Sequence, residues 1–346
     1  MEKYRQFADG GTGVNPFVPT WSNYKASLPM KVLKLVLLVL SVFRLGLFCL
    51  GLLWLCATEI VCLPLQIVPP VRRPIHVILT WGGCGMALMG LGIWFTAGSD
   101  TIADHRRLKI APPKVRRYLG FDAKRGCIVL ANMQGLTDVL YLGMKLDPVF
   151  VFPAADGTPI AYSLLGALRR AGARRASIAE KNSQTLAGIA EDAQKSWKGP
   201  VLVFPEGART NGSAVLAWKA KTFAGLESVT KPVGTALVAV EYSKGGSYTP
   251  HHTVGTSFKH IFWLCCQPWH NVKTVWLASS EVEAAVKDKP LVESVSFLRT
   301  VLVRMLPGAV EVELYAEKHQ EFMAFWDASQ KKGYTKPSTQ ATKKKM

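Results

Sequence analysis

The chain has 346 residues, of which 49% are aliphatic or aromatic and only 19% charged, with a formal net charge of +18. That is more apolar than an ordinary soluble domain, so part of the chain is expected to meet lipid. The positive charge calls for an anionic partner. No RNP motif, zinc finger or basic zipper supports nucleic acid, whereas an anionic membrane face or phosphorylated and CoA-like ligands fit.

Residues 1–30 read as an N-terminal cytosolic segment. From Val32 the text becomes "VLKLVLLVLSVFRLGLFCLGLLWLCATEIVCLPLQIVPP". Between Leu45 and Pro64 it holds about one spanning length of apolar residues, with Glu59 the one formal charge. A second apolar run, His76 to Gly98, follows, and Gly85, Gly90 and Gly92 suggest close helix packing there. Lys25, Lys31 and Lys34 flank the first run. Arg106, Arg107, Lys109, Lys114, Arg116 and Arg117 flank the second, so both ends prefer the cytosol. The connector "VPPVRRP" carries two arginines, which disfavours pushing it across a bilayer. Residues 31–98 are therefore expected to form a membrane-embedded helical hairpin that dips in and returns, bent by Pro64, Pro69, Pro70 and Pro74. The cysteines form no CxxC pair and no Cys/His cluster at metal spacing, so neither a disulfide nor a metal site is expected.

Residues 99–325 are expected to form an α/β domain, a largely parallel central sheet flanked by helices. "CIVLAN", "PVFVFP", "PVLVFPEG", "VGTALVAVEY" and "TVWLAS" read as strands. Helix-like stretches lie at Leu140–Leu146, Ile160–Ala171, Ser183–Trp197, Ala214–Thr222 and Leu291–Leu306. Strands alternating with helices point to parallel pairing, with ligands collecting beyond the carboxyl ends of the strands. "SFKHIFWLCCQPW", residues 257–269, is too short to span; it is expected in the core, with a lip resting at the membrane interface as the alternative. Residues 326–346 read as a disordered basic tail, whose final "KKKM" fits a cytosolic dilysine retrieval signal.

The strand ends at Asn132 and Phe204 carry unusual polar content. The first leads into "NMQGLTD", with Asn132 and Asp138; the second into "FPEGARTNG", with Glu206, Gly207, Arg209 and Thr210. A guanidinium in a glycine-containing turn can hold a phosphate, by its fork and by backbone N–H groups.

"FPEGART" resembles the phosphate-binding block of the glycerolipid acyltransferases, the 1-acylglycerol-3-phosphate acyltransferase family. "NMQGLTD" sits at the position of that family's upstream block. The resemblance runs from about Arg117 to Leu277, and the opening "MEKYRQFADGGTGVNPFVP" and "CCQPWHNVKTVWL" look like its fungal branch, linked to lipid droplets. It implies acyl-CoA as co-substrate, no cofactor, and a lysophospholipid acceptor, lysophosphatidate becoming phosphatidate. It also implies Asn132 and Asp138 at the reaction centre, and Glu206, Gly207, Arg209 and Thr210 on the acceptor phosphate. Endoplasmic reticulum and lipid-droplet membranes, and a role in triacylglycerol synthesis, follow from the same likeness.

The departures are equally specific. Met133 stands where the family has its general-base histidine, and a thioether accepts no proton at neutral pH. The intervening block is reduced to "GALRRAGARRAS", in which Arg169, Arg170, Arg174 and Arg175 remain as possible phosphate contacts, and Ala236 replaces an expected proline. Asp138 itself, His251, His252 or His105 are the available substitute bases. An enzyme with a relocated base and a silent fold that binds lysolipid or acyl-CoA, or seats partners on a droplet, are the two readings this pattern leaves.

Overall fold

The computed structural model describes residues 2–20, 28–94, 98–110, 125–173, 184–226, 228–229, 234–243, 248–287 and 289–331. Arg174 and Arg175, the basic positions 114–117 and the "KKKM" tail lie outside the described residues.

Leu-, Val- and Phe-rich sequence without an interior proline gives one long helix, α1 (Leu28–Cys62), and a 3-10 turn at Pro64–Ile67 ends it. Helix α2 (Pro69–Gly90) starts on prolines, where a missing N–H costs nothing, and returns antiparallel to α1. The backbones touch at glycines. A Cβ on Gly51 would lie 2.6 Å from Ala87 N, and one on Gly90 2.6 Å from Arg44 O. Gly90 thus has the packing role expected of it, whereas Gly92 is a turn residue at φ +82 beyond the helix end.

The two helices differ in character. Among the described residues, one stretch, Leu35–Cys62 with mean hydropathy 2.5, is long and apolar enough to cross a membrane. The second apolar run does not continue as helix to Gly98. Helix α2 stops at Gly90 and buries Thr80, Cys84, Ala87 and Leu88, packing on the α/β domain as well as on α1.

The domain follows as β1 (Gly98–Ile102), α3 (His105–Leu108), β2 (Ile128–Ala131), α4 (Leu136–Leu146), β3 (Val149–Pro153), β4 (Pro159–Tyr162), α5 (Leu164–Gly172) and α6 (Leu186–Lys195). Then come β5 (Val201–Val203), β6 (Ala214–Val215), β7 (Thr235–Tyr242), α7 (Ser257–Cys265), β8 (Val272–Leu277), α8 (Ser279–Val286), α9 (Leu291–Met305), β9 (Val310–Glu311) and α10 (Ala316–Lys331). The main sheet has the order β1-β8-β7-β2-β5-β3-β4. Strands β7, β2, β5 and β3 run parallel; β8 and β4 are antiparallel to their inner neighbours. This is the largely parallel, helix-flanked α/β fold that the sequence indicates.

Period-two alternation splits the core. Val129, Ala131, Leu202 and Phe204 face α2, α4 and α5, while Ile128, Leu130, Val201 and Val203 face α6 and α9. A third cluster joins Phe7 and Phe17 of the N-terminal segment to Leu216, Val254, Val312 and Phe322 of α10.

Several local expectations change. Ala214–Thr222 is not a helix but β6, paired with β9, followed by a 3-10 turn at Ala220–Phe223. Its partner lies nearly a hundred residues away, so no local pattern reports it. Ile160–Ala171 divides at Ser163, which ends β4 and caps α5 by accepting from Gly166 N at 3.4 Å. Helix α7 buries His260, Leu264 and Cys265 yet leaves Phe258 and Trp263 exposed, so it is only half a core helix. Helix α10 runs to Lys331, past the boundary at 325, and Tyr4, Phe7, Phe17 and Val18 of the N-terminal segment share its apolar cluster.

Candidate active site

Strands β2 and β5 are parallel neighbours with Leu130 opposite Val203, so their carboxyl ends reach the same edge of the sheet. The turns that leave them therefore meet. Met133 N donates to Glu206 Oε1 at 3.2 Å, and Thr210 N donates to Met133 O at 3.0 Å. Glu206 Oε2 accepts from Leu216 N at 2.9 Å, so this carboxylate ties three segments together. Burial pushes it up to about 8, against the pull of those two backbone donors.

Asn132 is expected at the reaction centre; its amide is instead spent on the sheet. Nδ2 donates to Val240 O at 3.0 Å and Oδ1 accepts from Val240 N at 2.7 Å, which prolongs the β2–β7 pairing by one side chain. Asp138 caps the start of α4. Its Oδ2 accepts from Gln134 N at 2.5 Å and Gly135 N at 2.8 Å, and its Oδ1 from the Tyr242 hydroxyl. Burial raises its carboxyl to about 6, opposed first by the Tyr242 bond.

The other predicted residues also converge, but inward. Arg209 is 2% exposed. Its Nη1 donates to Ala171 O at 2.9 Å and meets His252 Nδ1 at 2.7 Å, and Nη2 lies 3.8 Å from Met323 Sδ on α10. Gly207 sits at φ +65, where a Cβ would come 2.8 Å from Pro153 Cγ, so only glycine suits this turn. Its carbonyl accepts from Arg170 Nη2 at 3.2 Å; Arg170 thus backs the turn, while Arg169 points to solvent. The cavity beside Met133 is about 20 Å³, lined by Arg170, Gly207, Arg209, Ala316 and His319 among others. That is room for about one water molecule.

Of the histidines available as substitute bases, His105 is remote and pairs with Glu281 at 2.9 Å. His251 and His252 belong to the loop after β7, which lies directly on the first block. His252 N donates to Gln134 O at 2.9 Å, and a Cβ on Gly135 would meet Pro250 O at 2.8 Å. The His251 ring packs edge-on to Tyr242 at 5.6 Å. Burial, then the Arg209 charge, holds His252 and His319 neutral, His319 at about 3; burial also takes His260 to about 3. Since Arg209 donates to Nδ1 of His252, the ring proton sits on Nε2.

Tyr242, His319 and Met323 are part of this site without any signal of their own in the sequence. Tyr242 ends an apolar strand, and the other two lie on a helix from the far end of the chain.

No family model matches the chain, and no curated protein matches it. Among solved structures it is similar to the crystal structure of the 1-acyl-sn-glycerophosphate (LPA) acyltransferase PlsC from Thermotoga maritima. The identity is 16% over 78% of this chain and 98% of that one, with a TM-score of 0.34. The likeness is too distant to carry a residue-by-residue correspondence.

Proposed function

We propose that the chain transfers an acyl group from acyl-CoA to the free hydroxyl of a lysophospholipid, with lysophosphatidate the acceptor and phosphatidate the product. The observation that carries this reading is the meeting of the two polar strand-end turns through Met133, Glu206 and Thr210. No packing need places a glycine turn, a buried arginine and two histidines together at the carboxyl edge of a parallel sheet, where such folds bind ligands.

His252 supplies the base that Met133 does not. At neutral pH its imidazole is uncharged, but Nδ1 is occupied by Arg209. An acceptor phosphate entering the 205–210 turn competes for the guanidinium and releases Nδ1, and the opening that admits it relieves the burial and then the Arg209 charge that hold His252 far below the histidine range. The acceptor hydroxyl then gives its proton to Nδ1 as its oxygen attacks the thioester carbonyl. The carbon–sulfur bond breaks, and the departing CoA sulfur takes that proton back. Helix α10 must move for substrate to enter, because Met323 and His319 cover Arg209.

The exposed apolar face of α1, with Phe43, Leu53, Trp54 and Ile60, supports a hairpin lying in one leaflet. Exposed Phe258, Trp263 and Trp269 beside it would rest at the headgroup level. Such insertion suits an endoplasmic reticulum bilayer and a lipid-droplet monolayer equally.

The closed cavity favours a second reading, a silent acyltransferase-like fold that binds lysolipid or seats partners. Acyl transfer from labelled oleoyl-CoA to lysophosphatidate by the purified full chain separates the two. Activity lost in His252→Gln supports the first. A wild type that forms no phosphatidate, beside a Met133→His/Tyr242→Phe variant that does, establishes the second.

A further inference from the structure

A larger cavity lies at the opposite edge of the sheet, where the amino ends of β3 and β5 meet the tip of the hairpin. Its volume is about 240 Å³, and Arg72, Arg73, His76, Asp147, Tyr162 and Lys198 are among its lining residues. The floor is tight: a Cβ on Gly199 would strike Asp147 O, so the loop before β5 rests on the end of α4 backbone to backbone.

The charges in it do not balance. Asp147 is taken by Arg73, and His76 Nδ1 lies 2.9 Å from the same carboxylate. His76 Nε2 lies 3.8 Å from Glu59, the remaining acid of the lining. Arg72 and Lys198 are in excess of these two acids, although the Arg72 charge is felt at Glu59. Neither makes an ion pair or a side-chain hydrogen bond among the described residues, and Arg72 Nε is buried without a partner. A buried guanidinium nitrogen without an acceptor carries a free-energy penalty that an anionic oxygen would remove.

The surroundings say which anion. Ile67, at 87% exposed, and Leu63, Val68 and Val71 cover the hairpin tip around the cavity, and Trp197 is exposed at its rim. Apolar residues with an interfacial indole beside a basic recess are the pattern of a headgroup site. We propose that this cavity binds the phosphate of an anionic phospholipid headgroup between Arg72 and Lys198, with the hairpin tip inserted in the lipid around it. Two unpaired cations match a phosphomonoester dianion. The site is independent of acyl transfer, since Met133 and Arg209 lie at the other edge.

The test is flotation of the full-length protein with phosphatidylcholine vesicles, with and without phosphatidate. The Arg72→Gln/Lys198→Gln pair is compared with a charge-matched pair, Lys221→Gln/Lys318→Gln, at the opposite edge of the sheet and remote from the cavity. The cavity pair is expected to lose about tenfold or more of the phosphatidate-dependent affinity, as lost charge-assisted bonds imply, while the remote pair keeps the wild-type value. Unchanged thermal melting of both pairs excludes misfolding, because the Arg73–Asp147 pair is untouched. Equal losses in the two pairs, or none in the cavity pair, overturn the site in favour of diffuse charge. Glycerol phosphate in solution is the second arm. If it binds wild type as tightly as the vesicles do and that binding is lost in the Arg72→Gln/Lys198→Gln pair, the ligand is a free phosphate ester and the lipid assignment falls; weak binding, or binding that the cavity pair keeps, leaves the lipid as the ligand.

Discussion

The Tyr242 hydroxyl donates to Asp138 Oδ1, while Gln134 N and Gly135 N fill Oδ2. Three of the roughly four acceptor sites of this carboxylate are therefore in use, and an imidazole at position 133 would compete with Tyr242 for Oδ1.

Restoring that histidine should consequently require two changes. Met133→His alone is expected to add little to acyl transfer. Met133→His combined with Tyr242→Phe frees Oδ1 and is expected to add up to ~10²-fold, the low end of what a positioned base contributes. Single-turnover rates on lysophosphatidate for the two variants check this, and equal rates would refute the role given to Tyr242.

Arg209 holds the site shut as much as it equips it. In Arg209→Gln the Ala171 carbonyl and His252 Nδ1 lose a charged donor within the buried interior. Unfolding by denaturant is expected to show a loss of about 1–3 kcal/mol. Relieved of the neighbouring charge, His252 should titrate closer to the ordinary histidine range, which imidazole proton resonances would report.

Glu206 gives a pH dependence of defined sign. Its carboxyl is raised from 4.5 to about 8 in the folded chain, so the folded state binds that proton more tightly than the unfolded one. The resulting stability is complete below the unfolded value and is lost as pH rises through about 8. His260 and His319, lowered to about 3, have the opposite sign, but their effect is confined below the ordinary value of 6.5. Above that value, wild type should lose melting temperature with rising pH more steeply than Glu206→Gln. Parallel curves would contradict the assignment.

The hairpin should be intolerant at its glycine contacts. In Gly90→Val the new side chain meets Arg44 O and Phe48 N, which are backbone atoms and cannot step aside. Overpacking of this kind costs about 1–3 kcal/mol. The helices should splay, and limited proteolysis near the Pro64–Ile67 turn should accelerate. Gly46, whose added Cβ would meet nothing within 4 Å, is the matched control.

Much of this was legible in the chain itself. β2, β3, β5 and β7 stand out because a buried parallel strand needs a short apolar run, and "IVLA", "VFVFP" and "VLV" have little else to be. The meeting of Met133 with Glu206 follows once those strands are neighbours. β6 escaped because its partner β9 is remote, and α10 because a polar helix bearing Phe322 and Met323 resembles a solvated tail. The enclosure of Arg209 was illegible for the same reason. Its walls come from Ala171, His252 and Met323, contributed by segments whose local composition speaks only of packing.

The aromatic cluster of Phe7, Phe17 and Phe322 has a consequence for the order of biosynthesis. Phe7 and Phe17 precede the hairpin in the chain, and Phe322 follows the whole sheet. On the ribosome the apolar helix α1 emerges with Phe7 and Phe17 still lacking their partner, and chains fold from the amino end as they appear. Closure over Arg209 thus comes late, after the sheet and its turns have emerged. The nascent chain carries its 205–210 turn uncovered, and only α10, the last of the described helices, shuts it.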